Sequence, residues 1–574
     1  MKDLKPKLSC DLIMKGGTTS GILYPGAVRE IMKNYRLVNI GGTSAGAIAA
    51  AAAAAAEKGR ASGSEEKLEA ISRELPEKLL SFFQPRKNSK FLFDIGLAWL
   101  NSKEEKKGKF VFLFRLATLW AKQYLKSFSV LVLLCFVSGL SIGTAFKFQE
   151  PKFFWMTIAV ILATILYGII WMVLSIYRTY RTAEYQLSKK SDFGLCPGAK
   201  QAWANTPAFT DWFSERLNDL AGIGDQNRPL TFGDLGEGVN LVVMSTSLTD
   251  GNLVSLPLED CEQYLFRESD WQGKIPDKVL SWMLENSQKV SLRDSGQLIE
   301  YHQLPDANSL PVIFAVRMSL SFPVLFTTTK LYRKQSDEAT PQEVIFTDGG
   351  VTSNFPIHFF DSVWPRRPTF GITLSRTDSV EGNASTPRFL KDASNTVASR
   401  RLIKVGDFVS ALLSTMQEWT DNQQANLKSA QQRIVEIPLS QKEGGLNLTM
   451  SSELIECLVK RGEEAGRVFN DFDLPEHRWT RYVSSVVSFA KANTSMKTAW
   501  DSTTPDGDMK LSQFLKSYPS SAEGSELAED SEWQGDAFSF AKKFVSTDSA
   551  ENLIDQEGHR VQVRIVSDNT NQRS

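Results

Sequence analysis

Leu37-Val38-Asn39-Ile40-Gly41-Gly42-Thr43-Ser44-Ala45-Gly46-Ala47, continued by an alanine-rich run to Ala56, is the stretch that decides the fold. Its apolar start reads as a buried strand. The alanines from Ala47 to Ala56 read as a helix, because alanine is the strongest helix former. Between them stands Gly42-Thr43-Ser44-Ala45-Gly46, a G-x-S-x-G. Strand, tight glycine turn, serine and helix is the layout of a nucleophile elbow. Gly42 and Gly46 let the backbone turn sharply and leave room beside the Ser44 hydroxyl, and the helix N-terminus aims free N–H groups at the reacting centre. The pentapeptide alone is common enough to arise by chance. Its competing reading is a glycine-rich turn that packs a helix on a sheet.

The chain has 574 residues, enough for a large core and more than one domain. Its formal net charge of -1 argues against nucleic acid as a partner. Cys10, Cys135, Cys196, Cys261 and Cys457 are scattered and form no C-x-x-C pair. Neither a zinc site nor a disulfide framework is expected, and a reducing compartment is the simpler reading. Residues 1–7 are polar and basic, and Asp11-Leu12-Ile13-Met14 is too short to be the core of a signal peptide.

Residues 127–146 and 153–177 carry no charge. Each reaches the length of roughly 20 residues that a helix needs to cross a bilayer. The link between them, Lys147-Phe148-Gln149-Glu150-Pro151-Lys152, is short enough to force an antiparallel hairpin. Aromatic residues gather at its ends, as in interfacial belts, with Phe146, Phe148, Phe153, Phe154 and Trp155 on one side and Tyr177 and Tyr180 on the other. Lys122 and Lys126 precede the hairpin, and Arg178 and Arg181 follow it. By the positive-inside rule both flanks, and the catalytic domain with them, are cytoplasmic. A pair of buried core helices is the competing reading. Gly139 and Gly143 form a G-x-x-x-G that could let helices approach closely; chance spacing is the equal alternative. Residues 110–125 read either as an amphipathic helix on the membrane surface or as a cytoplasmic extension of the first span.

Val344-Ile345-Phe346 reads as a strand that runs into Asp348-Gly349-Gly350. An aspartate at a strand end faces the sheet edge, where a carboxylate can take a proton from a serine hydroxyl. The plain alternative is an Asp-Gly turn. Near the start, Lys15-Gly16-Gly17-Thr18-Thr19-Ser20-Gly21 follows a short apolar run. Amides in such a loop can converge on a developing oxyanion, each worth about 3 kcal/mol. A phosphate-cradling loop competes, but the chain lacks G-x-x-x-x-G-K-[ST] at this point.

Taken in order, these segments resemble the patatin-like phospholipase family. The resemblance is carried by Gly16-Gly17, by Gly42-Thr43-Ser44-Ala45-Gly46, and by Asp348-Gly349-Gly350 with Asn354 and Pro356. Residues 246–251 (Thr-Ser-Leu-Thr-Asp-Gly) and 317–323 (Arg-Met-Ser-Leu-Ser-Phe-Pro) add to it. It spans roughly residues 8–90 and 195–475, with the hairpin as an insertion. It implies an α/β fold with a mixed sheet flanked by helices and a Ser–Asp dyad: Ser44 as nucleophile, Asp348 as base, and Gly16, Gly17 and Thr18 as the oxyanion loop. The family's loop has a third glycine where Thr18 stands and a basic residue where Ser20 stands.

His302, His358, His477 and His559 are the four histidines, and a dyad is the more economical account than a triad that recruits one of them. Residues 433–439 read as a strand and 452–469 as a helix. The pattern weakens beyond about His477, with a loosely ordered tail at 494–535 and an alternating, strand-like stretch at 559–566. The expected organisation is a first domain part at 1–95, a membrane insertion at 96–194, a second domain part at 195–476 and an extension at 477–574. The expected activity is cleavage of acyl esters in membrane phospholipid, without metal or cofactor. A lysophospholipase or neutral-lipid esterase and a non-catalytic membrane scaffold are the alternatives.

Overall fold

A computed structural model of the chain describes residues 6, 8–17, 20–102, 108–148, 151–188, 191–224, 228–294, 297–334, 340–362, 364–376, 386–392, 415, 425, 427–440, 443, 450–501 and 510. Among them, one 12-stranded mixed sheet is flanked by helices. Its heart is five parallel strands in the spatial order Ile434–Leu439, Thr369–Arg376, Leu8–Met14, Tyr35–Thr43, Asn240–Ser247. Helices cover parallel strands on both faces, so these strands are apolar almost throughout. Leu12, Ile40, Val243, Ile372 and Val435 are fully buried.

The strand before the elbow is longer than its apolar core, Tyr35–Thr43, and the elbow helix is Ala45–Lys58. Ala50, Ala51 and Ala53 to Ala56 are fully buried. Their small side chains let this helix lie close between the sheet and the helix Phe209–Ala221.

One register decides the site. The strand Asn240–Ser247 pairs along one edge with Asn252–Leu256, through Val243 to Ser247. Its other edge is shared by two partners. Asn39 to Thr43 pair with Asn240 to Met244 in parallel, and Phe346 to Asp348 pair with Ser247 to Ser245 in antiparallel sense. The elbow strand and the strand Gln342–Asp348 therefore meet end to end, with Thr43 opposite Met244 and Asp348 opposite Ser245. Gly349 continues from that junction, and a Cβ on it would overlap the Met244 carbonyl.

The two uncharged stretches lie in helices Leu125–Phe148 and Pro151–Gln186, which pack against each other. The segment before them is a separate helix, Gly108–Gln123, interrupted at Tyr124 rather than running on unbroken. The Tyr124 hydroxyl donates to Ser175 O at 3.2 Å. By length and composition, Phe154–Gln186 is long and apolar enough to cross a membrane, and almost none of its most apolar part is buried. Ser129–Ile142 is a shorter apolar helical stretch. A Cβ on Gly139 would meet nothing within 4 Å, so of the two readings of this glycine a close approach between these two helices is not the one seen.

The weakening of pattern after His477 misreads the chain up to residue 501. Leu474–Asp501 is one helix. Its many Ser and Thr residues lower helix propensity, while anchoring side chains such as Arg481, paired with Asp361 at 3.1 Å, tie it to the body. The strand-like stretch at 559–566 and most of the tail, residues 502–509 and 511–535, lie outside the described residues.

Candidate active site

Ser44 joins strand to helix with φ 56° and ψ -128°. A residue other than glycine rarely adopts this conformation, which costs on the order of 1–3 kcal/mol. Several contacts hold it there. The Ser44 N–H donates to Ser319 Oγ at 2.9 Å. Ser44 O accepts the Ala47 N–H at 2.9 Å, which starts the helix and leaves the Ala45 and Gly46 amides ahead of the first intrahelical bond. A Cβ on Gly42 would overlap the Gly46 carbonyl, and one on Gly46 would overlap the Met14 carbonyl. The turn accepts glycine alone at both places.

Asp348 arrives from the other end of the shared edge. Its N–H donates to Ser321 O at 3.1 Å, and Thr347 Oγ1 donates to the same oxygen at 2.9 Å. The last residue of the helix Val312–Ser319 and the short stretch after it thus carry an acceptor for each member of the pair. That stretch is itself fixed by the fully buried Arg317, whose Nη1 donates to Ser321 Oγ at 2.8 Å and whose Nη2 donates to Thr327 O at 2.9 Å. Asp348 Oδ1 accepts the Gly350 N–H at 2.8 Å. Oδ2 is buried and makes no fully formed hydrogen bond. Burial pushes the carboxyl up to about 7, against the pull of the adjacent Ser44 hydroxyl and the Gly350 amide. A carboxyl with that proton affinity, one open oxygen and a serine beside it has the attributes of a general base working near neutral pH.

The glycine loop follows the strand Leu8–Met14 to the same edge. The Gly16 N–H donates to Asn354 O at 2.9 Å. The Asn354 carbonyl thus engages the amide that the resemblance implies as an oxyanion donor. Gly17 is half-buried next to it. Thr18 lies outside the described residues. Lys15 directs Nζ toward Leu374 O at 3.4 Å, on the neighbouring strand.

Asn354 is central here. Its carbonyl takes Thr43 Oγ1 at 3.1 Å as well as the Gly16 amide, and its side chain occupies the space that a Cβ on Gly16 or Gly350 would need. The sequence singled out Asn354 and residues 317–323 by motif but gave them no role. The D-G-G-x-x-x-N spacing was the available signal.

The groups acting on the Asp348 carboxyl include no histidine. His302 lies against Ser287, His477 against Gln432 and Phe472, and His358 on the short helix Ile357–Phe360. His559 is outside the described residues. Among the described residues no cluster of His, Cys, Asp and Glu is arranged to hold a metal ion.

A family model described as patatin-like phospholipase matches residues 12–134. Over 557 residues the chain is 31% identical to the RpoH suppressor of Rhizobium meliloti (strain 1021), covering 83% of this chain and 85% of that protein. Over 144 residues it is 42% identical to the uncharacterized protein YqhO of Bacillus subtilis (strain 168), covering 25% of this chain and 33% of that one.

Proposed function

Because this chain belongs to the patatin-like phospholipase family, whose domain is that of a lipid acyl hydrolase, we propose that it is a membrane-anchored phospholipase working through Ser44 and Asp348. The observation that carries this reading is the buried, open Oδ2 of Asp348 beside the strained Ser44. Asp348 takes the Ser44 proton as Oγ attacks the ester carbonyl. The new oxyanion is met by the Gly17 amide and by the first-turn amides of the helix Ala45–Lys58. Collapse of the tetrahedral intermediate expels the alcohol, which receives the proton from Asp348. Water then attacks the acyl-enzyme with Asp348 again as base, and free fatty acid leaves. The mechanism calls for no metal or cofactor.

The two apolar helices support the anchor. Leu133, Phe136, Leu140, Leu162, Leu166, Ile169 and Val173 are all exposed. The polar side chains lie between the helices instead. Ser138 Oγ meets Thr164 Oγ1 at 2.8 Å, Thr157 Oγ1 donates to Ser141 O at 2.9 Å, and Trp171 Nε1 donates to Ser127 Oγ at 3.0 Å. Apolar outside and hydrogen-bonded inside is the arrangement that suits lipid rather than water. With basic flanks on both sides, the catalytic body lies on the cytoplasmic face.

Labelling of the full chain with a fluorophosphonate probe tests the chemistry. Covalent capture at Ser44, lost in Ser44→Ala, is expected; a folded protein that does not react would favour the scaffold reading. A panel of diacyl, lysophospholipid and neutral esters separates the lipase alternatives.

A further inference from the structure

Phe193 and Val324 are large apolar side chains held out to solvent, 36% and 52% exposed, by a backbone that suits glycine. Their φ values are 54° and 71°. For a bulky or β-branched residue such a conformation is strained. Glycine or asparagine would relieve the strain, and a surface that faced only water would gain nothing from phenylalanine or valine there. The two residues stand side by side: Gly194 and Val324 are paired at the start of the parallel strands Gly194–Cys196 and Val324–Phe326, with exposed Pro323 next to them.

The outward pose is enforced from behind. Asp192 also has a φ of 54°, but its carboxylate turns inward to Lys330 Nζ at 2.7 Å and Lys274 Nζ at 3.0 Å. Its carbonyl accepts the Thr328 N–H at 2.8 Å. Two successive left-handed residues therefore send Asp192 in and Phe193 out. The Phe193 N–H donates to Ser188 O at 3.1 Å, just beyond the end of the helix Pro151–Gln186. That helix exposes Tyr177, Tyr180 and Tyr185 along its last turns, and Leu187 follows it. On the other side, Val324 follows Ser321, which holds Asp348, by three positions. Arg86 lies close by, with Nη1 donating to Ser191 O at 3.0 Å.

We propose that Phe193, Pro323 and Val324 form an apolar lip of the catalytic body that enters the interfacial zone of the anionic cytoplasmic leaflet, between the foot of the apolar helix and the Ser44–Asp348 pair. The lip rests on the reading of the hairpin as a membrane anchor and adds a second lipid contact. Continuity with the aromatic foot of that helix, together with Arg86, Arg178 and Arg181, matches a zone of acyl chains beneath anionic headgroups.

The test uses the full chain with Cys135 and Cys457, the two exposed cysteines, replaced by serine. A nitrobenzoxadiazole dye is attached at Val324→Cys or, separately, at Ile169→Cys. Each protein is reconstituted in vesicles of phosphatidylcholine and phosphatidylglycerol containing nitroxide-labelled lipid. Quenching at both positions is expected, from a shallow nitroxide at 324 and a deep one at 169. Quenching at 169 without quenching at 324 overturns the lip and spares the anchor. Quenching at neither overturns both. This readout needs no turnover, so failure of the hydrolase reading shows separately, as a wild-type protein that cleaves no ester. With an active protein, Phe193→Asn combined with Val324→Asn should lower the ratio of vesicle to soluble-ester hydrolysis about tenfold, since two apolar side chains leave the lipid. An unchanged ratio overturns the lip.

Discussion

Thr43 and Asp348 stand on consecutive rungs of one edge of the strand Asn240–Ser247, opposite Met244 and Ser245. The serine that follows Thr43 and the acid that ends the opposing strand are thus brought together by backbone pairing. Loops do not set their separation. Register in a buried sheet is strongly specified, because a one-residue slip would turn every side chain to the wrong face. The sheet itself preorganises the pair.

Ser44→Ala and Asp348→Asn should each lower ester hydrolysis by at least about a thousandfold while leaving the fold intact, since the two act as one unit. Ser44→Gly should be equally inactive and yet melt at a higher temperature, because glycine accepts a φ of 56° without strain. Substantial turnover in a folded dyad variant would sink the mechanism. His358→Ala should retain most activity; a collapse there would point to a triad.

Burial raises Asp348 from the ordinary carboxylate range to about 7. A base must be ionised, so kcat/KM should climb with pH through about 7 and then level off. Stability runs the other way. Above about pH 4 the unfolded chain has released a proton that folded Asp348 still holds. This residue's contribution is therefore fully present at low pH and is lost as pH rises through about 7. Asp348→Asn should gain in melting temperature on the wild type across that window. A pH-independent difference between the two would contradict the buried acid.

Gly349→Ala places a methyl group against the Met244 carbonyl at the junction of the two strands. Neither backbone can yield without breaking the pairing that aligns Asp348. Overpacking of this kind costs about 1–3 kcal/mol. Hydrolysis should fall much further than stability, which parallel melting and rate measurements would show. Full activity in this variant would mean that the junction tolerates displacement.

Ser319→Ala removes the acceptor of the buried Ser44 amide. Leaving such a donor unsatisfied costs about 1–3 kcal/mol. Ser319 does not touch the ester, so kcat should drop with little change in KM. A rise in KM at constant kcat would instead place Ser319 in substrate binding.

Reporters fused after Ser574 or inserted near Lys189 should read the cytoplasm, and one in the link between the two helices should read the opposite side. Replacing residues 127–177 by a short flexible bridge should move the protein toward the soluble fraction. It should reduce hydrolysis of bilayer lipid more than that of a small soluble ester. Unchanged membrane retention would show that these helices are not the anchor.

The sequence by itself determined what local chemistry determines. A glycine-flanked serine between an apolar run and an alanine run could only be a strand, a tight turn and a helix, and the structure has them as Tyr35–Thr43, Ser44 and Ala45–Lys58. The uncharged runs became the helices Leu125–Phe148 and Pro151–Gln186 for an equally local reason. Only the tertiary structure decided which distant groups share an edge, a proton or a surface. It set Asp348 one rung beyond Thr43, placed the Asn354 carbonyl against the Gly16 amide, and made Ser319 and Ser321 the supports of the pair. It also turned Phe193 and Val324 outward. Propensity and patterning act over a few residues, whereas strand register and the ownership of each buried donor are settled by pairing between segments far apart in the chain.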